Sequence, residues 1–199
     1  MISDLKPGAA VFLDRDGTLI RDVGYLRRID DLEILPKVPE ALCLLRAQGF
    51  KLVLVTNQSA VARGWLLEEE LAAIHAALGA ALARGGARLD AIYYCPHHPV
   101  EGQGAYRLHC ACRKPDIGMI ERAAVELGVD PAASYVVGDQ QTDVELARRA
   151  GATALLIDRE PPPSTVAARP GAVVGDLWQA ARWIVEHARQ SGNAEESQS

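Results

Sequence analysis

Short apolar runs alternate along the chain with longer segments in which apolar residues recur every three or four positions. A short continuous run such as AAVFLD is typical of a strand buried on both faces of a parallel sheet, whereas the longer period is typical of a helix. The short runs predict strands at 9–14, 51–57, 91–94, 134–139 and 152–158, and AVV at 172–174 is a further short apolar run. The longer segments predict helices at 39–49, 66–86, 116–128, 142–151 and Leu177 to Arg189.

This alternation of strands and helices predicts one α/β domain over residues 1–190, built as a doubly wound, Rossmann-like parallel sheet with helices on both faces. The proline-rich segment 160–170 is predicted to be a connector, and the polar residues 191–199 are predicted to form a disordered tail. Ligands of such sheets bind at the carboxyl ends of the strands. We therefore expect the polar residues that follow four of the strands to meet at one edge: Asp14 and Asp16, Thr56 and Asn57, Cys95 and His97, and Asp139.

Composition and charge argue against several classes of function. The 199 residues carry a net charge of −5, which gives no general attraction for nucleic acid or for an anionic membrane surface. No apolar run reaches the roughly 18 to 20 residues that a membrane span needs, and the N-terminal segment lacks the pattern of a secretion signal. We therefore expect a cytoplasmic protein and, since no extended apolar interface is indicated, a monomer.

The stretch FLDRDGTL places two carboxylates, Asp14 and Asp16, at the end of the first predicted strand. Residues two apart in an extended chain project to the same side, and two close anions are unfavourable without a counterion. A Mg²⁺ ion, which prefers oxygen ligands, would neutralise them and recruit a phosphate group. Asp and Gly are also common turn residues, so the alternative is a solvated junction between strand and loop.

Three further stretches add polar groups that suit a phosphate. Thr56 and Asn57 supply a hydroxyl and an amide after the second strand, although both residue types also simply terminate strands. Asp139 ends another strand, and Asp143, one helical turn later, is either part of the site or an exposed acid favoured by the helix dipole. Lys114 offers a cation for phosphoryl charge, whereas a lone Lys before Pro is otherwise typical of a surface.

The loop CPHHPVEGQGAYRLHCAC, residues 95–112, holds three of the four cysteines of the chain. Two short-spaced ligand pairs separated by a loop suit a tetrahedral zinc site. A disulfide is disfavoured in a reducing compartment, and a catalytic cysteine is unnecessary where carboxylates supply a nucleophile. Since four protein ligands leave no open position, the zinc would be structural, held by Cys95, His97, Cys110 and Cys112.

In this order, DRDGTL, TNQS, Lys114 and GDQQTD resemble the four motifs of the haloacid dehalogenase-like phosphatases, and the resemblance spans residues 9–158. An ordered set of four motifs is far more specific than any one of them. The resemblance implies the doubly wound fold that the strand and helix pattern predicts independently. It also implies a phosphatase that uses Mg²⁺.

Particular residue roles follow from the resemblance. Asp14 would be the nucleophile that forms an aspartyl-phosphate, and Asp16 would protonate the leaving group and then deprotonate the attacking water. Asp14, Asp139 and the backbone carbonyl of Asp16 would bind Mg²⁺. Thr56 and Lys114 would stabilise the transferring phosphoryl group.

Longer stretches narrow the resemblance. RDVGYL, TNQSAVARG, YYCPHHP and CACRKPDIGM are similar to the branch of the family that removes the 7-phosphate of heptose 1,7-bisphosphate, a step towards lipopolysaccharide core or activated glycans. This similarity implies a small-molecule sugar bisphosphate as the substrate. Arg113, with its planar multidentate group, is our hypothesis for holding the 1-phosphate. The similarity implies that the pocket is lined by Asp22, Gly24, Tyr25, Thr56, Asn57, Gln58, Ser59 and Arg113. We add two nearby cations, Arg63 and Lys114, to the predicted substrate-binding residues.

One position departs from the family pattern. Gln140 stands where close relatives usually carry Lys directly after the aspartate of the fourth motif, so any phosphate contact of that Lys is neutral or missing here. The motifs are also closely spaced, since only 39 residues separate Asp16 from Thr56. This spacing leaves no room for the cap domain that often selects the substrate in this superfamily, so loops must build the pocket.

The main alternative is a histidinol-phosphate phosphatase, a relative with the same carboxylates and the same Cys/His loop. Its substrate carries a cationic amine, so Arg63 and Arg113 near the pocket favour a bisphosphate instead. A polynucleotide phosphatase is disfavoured by the acidic chain and by the absence of an aromatic stacking platform. A non-catalytic zinc module would leave the four motifs unexplained, and phosphomutases usually rely on a cap to exclude water.

Overall fold

The computed structural model describes residues 8–158 and 171–196, and these ranges form a parallel sheet of six strands. The five predicted strands are confirmed, and the apolar run at 172–174 is a sixth. The predicted connector, 160–170, lies outside the described residues. The strands are β1 (Ala10–Leu13), β2 (Lys51–Asn57), β3 (Ala91–Cys95), β4 (Tyr135–Gly138), β5 (Thr153–Ile157) and β6 (Ala172–Val174).

The α-helices of the described residues are α1 (Val38–Ala47), α2 (Ser59–Ala62), α3 (Glu68–Arg84), α4 (Gly118–Leu127), α5 (Gln141–Ala150) and α6 (Leu177–Glu196). Two of them differ from the sequence prediction. Helix α2 is a single turn, too short to leave a periodic apolar signal. Helix α6 continues past Arg189, so residues 191–196 are helical and not part of a disordered tail; one Gly in a helix costs only about 1 kcal/mol. Residues 197–199 lie outside the described ranges.

Both faces of the sheet are covered by helices, as a doubly wound fold requires. In β1, Val11 and Leu13 belong to a core shared with α1, α3 and α6, whereas Ala10 and Phe12 belong to a second core shared with α4 and α5. All four side chains are fully buried. This two-sided burial explains why β1 is a continuous apolar run in the sequence rather than an alternating one.

The strand order β3-β2-β1-β4-β5-β6 reverses the direction of winding between β1 and β4. The chain runs from β1 outward to β2 and β3, then crosses back to place β4 on the other side of β1. The crevice beyond the carboxyl ends of the strands at such a reversal is the usual ligand site. Asp14 follows β1 and Asp139 follows β4, so the topology brings these two predicted site residues side by side.

The described residues contain neither a cap domain nor a helix that could span a membrane. Between Asp16 and Thr56 the chain forms a 3-10 turn (Ile29–Asp31) and α1, and between Asn57 and Lys114 it forms α2, α3, β3 and the Cys/His loop. The missing cap agrees with the spacing of the motifs. In the two described ranges, every helix is too short or too polar to cross a bilayer.

Candidate active site

A buried lysine joins two carboxylates at the centre of the crevice between β1 and β4. The Nζ atom of Lys114 donates to Asp14 Oδ1 and Asp143 Oδ1, both at 2.6 Å, and to the carbonyl of Val55 at 3.1 Å. Only 3% of the Lys114 side chain is exposed. Burial alone lowers the pKa of Lys114, but the charges of Asp14 and Asp143 outweigh burial and raise the pKa. The structure therefore fixes a protonated amine directly beside Asp14.

Asp143 belongs to the site and is not an exposed acid at a helix start, the two possibilities that its position in the sequence allowed. Its side chain is only 2% exposed. Its second oxygen accepts the backbone N–H of Gln140 at 3.1 Å. The carboxyl group also lies against Gly138, where a Cβ would approach it to 2.2 Å. The close packing of α5 on the end of β4 thus buries a second anion next to Lys114.

Three carboxylates converge here in a way that fits a divalent cation. One oxygen from each of Asp14, Asp139 and Asp143 lies within 4.8 Å of the others. Asp139 Oδ1 is buried without a hydrogen-bond partner, and burial, with the charge of Asp14, raises the pKa of Asp139 to about 6. A hard cation with oxygen ligands would satisfy that oxygen and neutralise the anions. The donor set therefore fits Mg²⁺, with Asp143 as an acid beside the predicted Asp14 and Asp139.

The raised pKa of Asp139 predicts how stability depends on pH and on Mg²⁺. A carboxyl whose pKa is higher in the folded protein favours folding when protonated, so its contribution is present below pH about 4 and is lost as pH rises through about 6. Because Mg²⁺ replaces that proton, we expect it to raise the Tm by about 5 to 10 °C at pH 7.5, at a concentration about 100 times its Kd, and by less at pH 5. Thermal unfolding of the EDTA-treated protein with and without Mg²⁺ measures both effects.

The control is Asp139→Asn, which removes the titrating group and one ligand together. This variant should lose most of the Mg²⁺-dependent rise in Tm. It should also lose the part of the pH dependence that Asp139 contributes, which isolates that part from the titration of other acids. An equal rise with Mg²⁺ in the wild type and in Asp139→Asn would contradict the assignment.

Asp16 lies in the turn after β1, lines the cavity described below, and is held there by hydrogen bonds from Arg15 and Gln58. One guanidinium nitrogen of Arg15, NH2, donates to both carboxylate oxygens of Asp16 at 3.0 and 2.9 Å, and Gln58 Nε2 donates to Oδ2 at 3.1 Å. Burial raises the pKa of Asp16, with the charge of Arg15 opposing it. Because 23% of the side chain remains exposed, the carboxyl is accessible from the cavity while its orientation is fixed.

A cavity of about 450 Å³ opens over these residues, a size that suits a small phosphorylated molecule. Of the predicted pocket residues, Arg63 is missing from its lining. The guanidinium of Arg63 pairs with Glu101 and lies 5.3 Å from the ring centre of Tyr25 and 5.0 Å from that of Trp65, so it contacts a wall residue and not the cavity. The cavity is lined by Asp14, Asp16, Asp22, Gly24, Tyr25, Thr56, Asn57, Gln58, Ser59, Arg113, Lys114, Asp139, Gln140 and Thr142.

The loop that carries Lys114 is tied to the end of β2. Asn57 Nδ2 donates to the carbonyl of Lys114 at 3.1 Å, and the Lys114 N–H donates to Asn57 Oδ1 at 3.0 Å. Arg113 donates to the carbonyl of His97 at 3.0 Å. The hydroxyl of buried Thr56 accepts a hydrogen bond from Gln58 at 2.8 Å. The amide of Asn57 therefore positions the Lys114 backbone and, through it, the buried amine.

The Cys/His loop brings its four predicted ligands together. Cys110 Sγ lies 3.5 Å from Cys95 Sγ and 3.3 Å from Cys112 Sγ, and His97 Nδ1 lies 3.4 Å from Cys112 Sγ and 3.8 Å from Cys95 Sγ. Sulfurs at two corners of a zinc tetrahedron are about 3.8 Å apart, whereas disulfide sulfurs are about 2.05 Å apart. All three cysteines are free thiols, and burial raises the pKa of Cys95. The cluster therefore fits zinc and not a disulfide.

The cluster predicts one zinc ion per chain and a loss of stability without it. We expect Cys110→Ser to lose the metal and to lower the Tm by at least about 5 °C, because a cation that binds only the folded state stabilises it. Elemental analysis of the purified protein and thermal unfolding measure the two effects. Cys43→Ser is the matched control, because Cys43 lies on α1 outside the cluster. Full zinc content in Cys110→Ser would contradict the ligand assignment.

Sequence analysis did not identify two buried residues behind Asp16: Arg15, which contacts Asp16, and His75, which contacts Arg15. Arg15 stands between two acids, where a charged residue is ordinarily solvated, yet it is only 1% exposed. Its second partner, His75, follows 60 positions later in α3, and nothing in the sequence indicates a partner for it. Only the packing of α3 on the sheet brings the two together.

Comparisons with known proteins agree with this geometry. Residues 111–180 match the model of a family described as HAD-hydrolase-like. The D-glycero-beta-D-manno-heptose-1,7-bisphosphate 7-phosphatase of Haemophilus ducreyi is 49% identical over 143 residues, which are 71% of this chain and 78% of that protein. The protein of the same name from Escherichia coli (strain K12) is 42% identical over 160 residues, 80% of this chain and 84% of that protein.

Two solved structures are similar to the whole described fold. The D,D-heptose 1.7-bisphosphate phosphatase of B. bronchiseptica, complexed with magnesium and phosphate, superimposes with a TM-score of 0.75 at 33% identity, covering 90% of this chain and 99% of that one. A HAD-like phosphatase of Mesorhizobium loti superimposes with a TM-score of 0.78 at 28% identity, covering 89% of this chain and 87% of that one.

Proposed function

We propose residue roles and a substrate from one premise: the chain belongs to the family of D-glycero-β-D-manno-heptose-1,7-bisphosphate 7-phosphatases, within the HAD-like hydrolases. The protein is accordingly a phosphatase that removes the 7-phosphate of a heptose 1,7-bisphosphate. The observation that carries the proposed mechanism is the placement of Asp14 beside Lys114 and Asp139 under the 450 Å³ cavity. The relatives from Haemophilus ducreyi and Escherichia coli are named for the β anomer, and we propose the same preference here.

Asp14 is the nucleophile in this proposal. Its carboxylate oxygen attacks the 7-phosphorus, the bond from phosphorus to the sugar oxygen breaks, and the Asp16 carboxyl gives its proton to that oxygen. Water then attacks the aspartyl-phosphate, Asp16 takes a proton from it, and the Asp14 carboxylate and inorganic phosphate are regenerated. Both residues line the cavity, which supports a shared reaction space.

The surrounding residues neutralise and orient the phosphoryl group. Lys114 is protonated and buried next to Asp14, and the buried hydroxyl of Thr56 lines the same cavity. Phosphoryl transfer depends mostly on positioning and charge neutralisation, which these two residues would supply. Mg²⁺, when bound, adds positive charge that draws phosphate oxygens towards Asp14. Asp14, Asp139 and the carbonyl of Asp16 would hold the ion.

The rest of the cavity is proposed to hold the sugar and its 1-phosphate. Asp22, Gly24 and Tyr25 line one wall and can hydrogen bond to sugar hydroxyls or pack on the ring. Two cationic side chains, Arg113 and Lys114, line the cavity. Since Lys114 is assigned to the transferring phosphoryl group, Arg113 is the proposed partner of the 1-phosphate. Gln140 also lines the cavity but is neutral, so Arg113 would carry most of the charge recognition of the second phosphate.

We expect Arg113→Ala to raise the KM for heptose 1,7-bisphosphate by about 10- to 100-fold, the value of a charge-assisted pair with phosphate. The KM for heptose 7-phosphate should change less than about threefold, because that substrate lacks the 1-phosphate. Steady-state kinetics on both substrates measure the difference. Arg107→Ala, an exposed position of the same loop, is the matched control. Equal changes for both substrates would assign Arg113 to general phosphate attraction instead.

The substrate proposal is tested by phosphate release from the α and β anomers of heptose 1,7-bisphosphate and from histidinol phosphate, assayed side by side with Mg²⁺. A kcat/KM that is highest for the β anomer supports the proposal. A higher value for histidinol phosphate would mean that the roles given to Arg113 and to Asp22, Gly24 and Tyr25 are wrong. The roles of Asp14 and Lys114 would be unaffected, because both substrates are phosphate monoesters.

We also propose that the Cys/His cluster binds a structural zinc and that the protein is a cytoplasmic monomer. A structural role for the metal is supported by the four protein ligands, which leave no position for substrate. The free thiols of the cluster suit a reducing compartment.

A further inference from the structure

The carboxyl group of Asp16 is held by a guanidinium group that the fold turns inward. Arg15 precedes Asp16 directly, and only 1% of its side chain is exposed. Its NH2 atom donates to both oxygens of Asp16, at 3.0 and 2.9 Å, and its Nε donates to Oδ1 at 3.3 Å. Burying an arginine is unfavourable unless its donors are satisfied, so this position is not the default for a charged residue after a strand. The burial of Arg15 therefore calls for an explanation.

The far side of the Arg15 guanidinium is fixed by α3. Arg15 NH1 lies 3.4 Å from Nε2 of His75, a residue that is itself only 6% exposed. For this contact to be a hydrogen bond, Nε2 must accept, which requires the neutral imidazole with its proton on Nδ1. Burial, with the charge of Arg15 adding to it, lowers the pKa of His75 to about 4, in agreement with a neutral ring. Arg15 is therefore held between the imidazole and the Asp16 carboxylate.

Gln58, which lies between β2 and α2, is the second residue that holds Asp16. Its Nε2 donates to Asp16 Oδ2 at 3.1 Å and to the Thr56 hydroxyl at 2.8 Å. The carboxyl of Asp16 thus accepts hydrogen bonds from Arg15 and Gln58, while part of it remains exposed to the cavity. A side chain held by several rigid partners keeps one orientation, which is what a proton donor for one particular leaving oxygen needs.

We propose that Arg15, braced by His75, is a positioning residue that holds the Asp16 carboxyl at the cavity wall, where it protonates the leaving sugar oxygen. The proposal rests on the acid role given to Asp16 above. In that step the phosphorus–oxygen bond breaks, its electron pair stays on the sugar oxygen, and the proton moves from Asp16 to that oxygen. The resulting Asp16 carboxylate suits the Arg15 guanidinium, whose NH2 atom lies within hydrogen-bond distance of both Asp16 oxygens.

Two substrates whose leaving groups differ in their need for a proton can distinguish a positioning role of Arg15 from a merely structural one. A sugar alkoxide is a poor leaving group and requires the acid, whereas p-nitrophenolate leaves without a proton. Correct placement of a general acid is worth about 10²- to 10⁴-fold in rate. We expect Arg15→Met to slow the first phosphoryl transfer from heptose 1,7-bisphosphate by about 100-fold, and that from p-nitrophenyl phosphate by less than about threefold.

Rapid mixing under single-turnover conditions measures this first transfer, since turnover of the aspartyl-phosphate uses Asp16 as a base with either substrate. Product release from the sugar bisphosphate is followed by quenched flow, and p-nitrophenolate by absorbance. Arg15→Lys, which keeps the charge but loses the forked geometry, should recover part of the rate on the sugar substrate. His75→Leu keeps Arg15 but removes the imidazole that contacts it. This variant should lower the ratio of the rate on heptose 1,7-bisphosphate to the rate on p-nitrophenyl phosphate by about 10-fold.

Controls distinguish failure of this proposal from failure of the acid role itself. Asp16→Asn should show the same dependence on the leaving group; if it slows both substrates equally, the acid role of Asp16 is wrong. If Asp16→Asn shows the dependence but Arg15→Met and His75→Leu do not, the positioning role alone is overturned. Arg46→Met removes a partly buried arginine paired with Asp90 at 2.9 Å, and it should leave the ratio unchanged. Should Arg15→Met fail to fold, Arg15→Lys and His75→Leu decide the outcome by the same ratio.

Discussion

Asp14→Asn should lower kcat for heptose 1,7-bisphosphate by at least about 10⁴-fold, because an amide cannot form the covalent phosphoryl intermediate. The variant should nevertheless fold. Asn retains an oxygen that can accept from Lys114 Nζ, now 2.6 Å from Asp14 Oδ1, and it removes one anion from a site where Asp139 and Asp143 also converge. Phosphate release measures the loss of activity, and thermal unfolding should give a Tm within a few degrees of the wild type.

Trapping of the intermediate completes this test. Wild-type protein quenched during turnover should carry one phosphoryl group, detected by mass spectrometry of the peptide that contains Asp14, and Asp14→Asn should carry none. Asp176→Asn is the matched control, because Asp176 accepts the N–H of Gln179 at the start of α6 and Asn can do the same. Activity above about one hundredth of the wild type in Asp14→Asn would mean that another group attacks the phosphorus.

Much of the fold follows from local signals in the sequence. A strand such as β1 is buried on both faces, so its run AVFL is apolar throughout and needs no knowledge of its neighbours to be recognised. The polar residues after β1 and β4 could then be placed together, because parallel strands end at one edge of a sheet. The cluster Cys95, His97, Cys110 and Cys112 was recognisable for the same reason, since ligand type and spacing are both local.

The features that the sequence did not indicate are contacts between distant segments. Arg63 was expected at the pocket, but in the structure it pairs with Glu101 of the Cys/His loop beside Tyr25 and Trp65. Nothing in the sequence states that these segments meet. The inward position of Arg15 has the same origin, because it depends on an imidazole in α3.

The Cys/His loop and the catalytic centre are physically continuous. Cys112 is separated from Lys114 by Arg113 alone, Arg113 donates to the carbonyl of His97, and Asn57 holds the Lys114 backbone from the end of β2. A metal that fixes the loop would therefore also fix the position from which Lys114 enters the crevice. This connection gives a structural zinc a consequence for catalysis without any contact with substrate.

Lys114→Met should have the second large effect, and it should reduce both stability and activity. Lys114 is the cation between Asp14 and Asp143, with both carboxylate oxygens at 2.6 Å. Removing one partner of a buried ion pair typically destabilises by about 3 to 5 kcal/mol, because the remaining charge is left unpaired. Loss of a cation at the transferring phosphoryl group should lower kcat by about 10²- to 10³-fold. Denaturant unfolding and steady-state kinetics measure the two effects separately.

A second substitution separates the two roles of Lys114. In Lys114→Met with Asp143→Asn, one buried anion is removed, so most of the lost stability should return while kcat stays low. Mg²⁺ should likewise restore part of the stability of Lys114→Met, because it neutralises the same carboxylates, without restoring the amine. Lys51→Met is the matched control: Lys51 is half exposed, lies 3.8 Å from Asp90, and should contribute less than about 1 kcal/mol. Recovery of kcat together with stability in the double variant would show that Lys114 serves only to neutralise its neighbours, since a cation required at the phosphoryl group cannot be replaced by removing an anion.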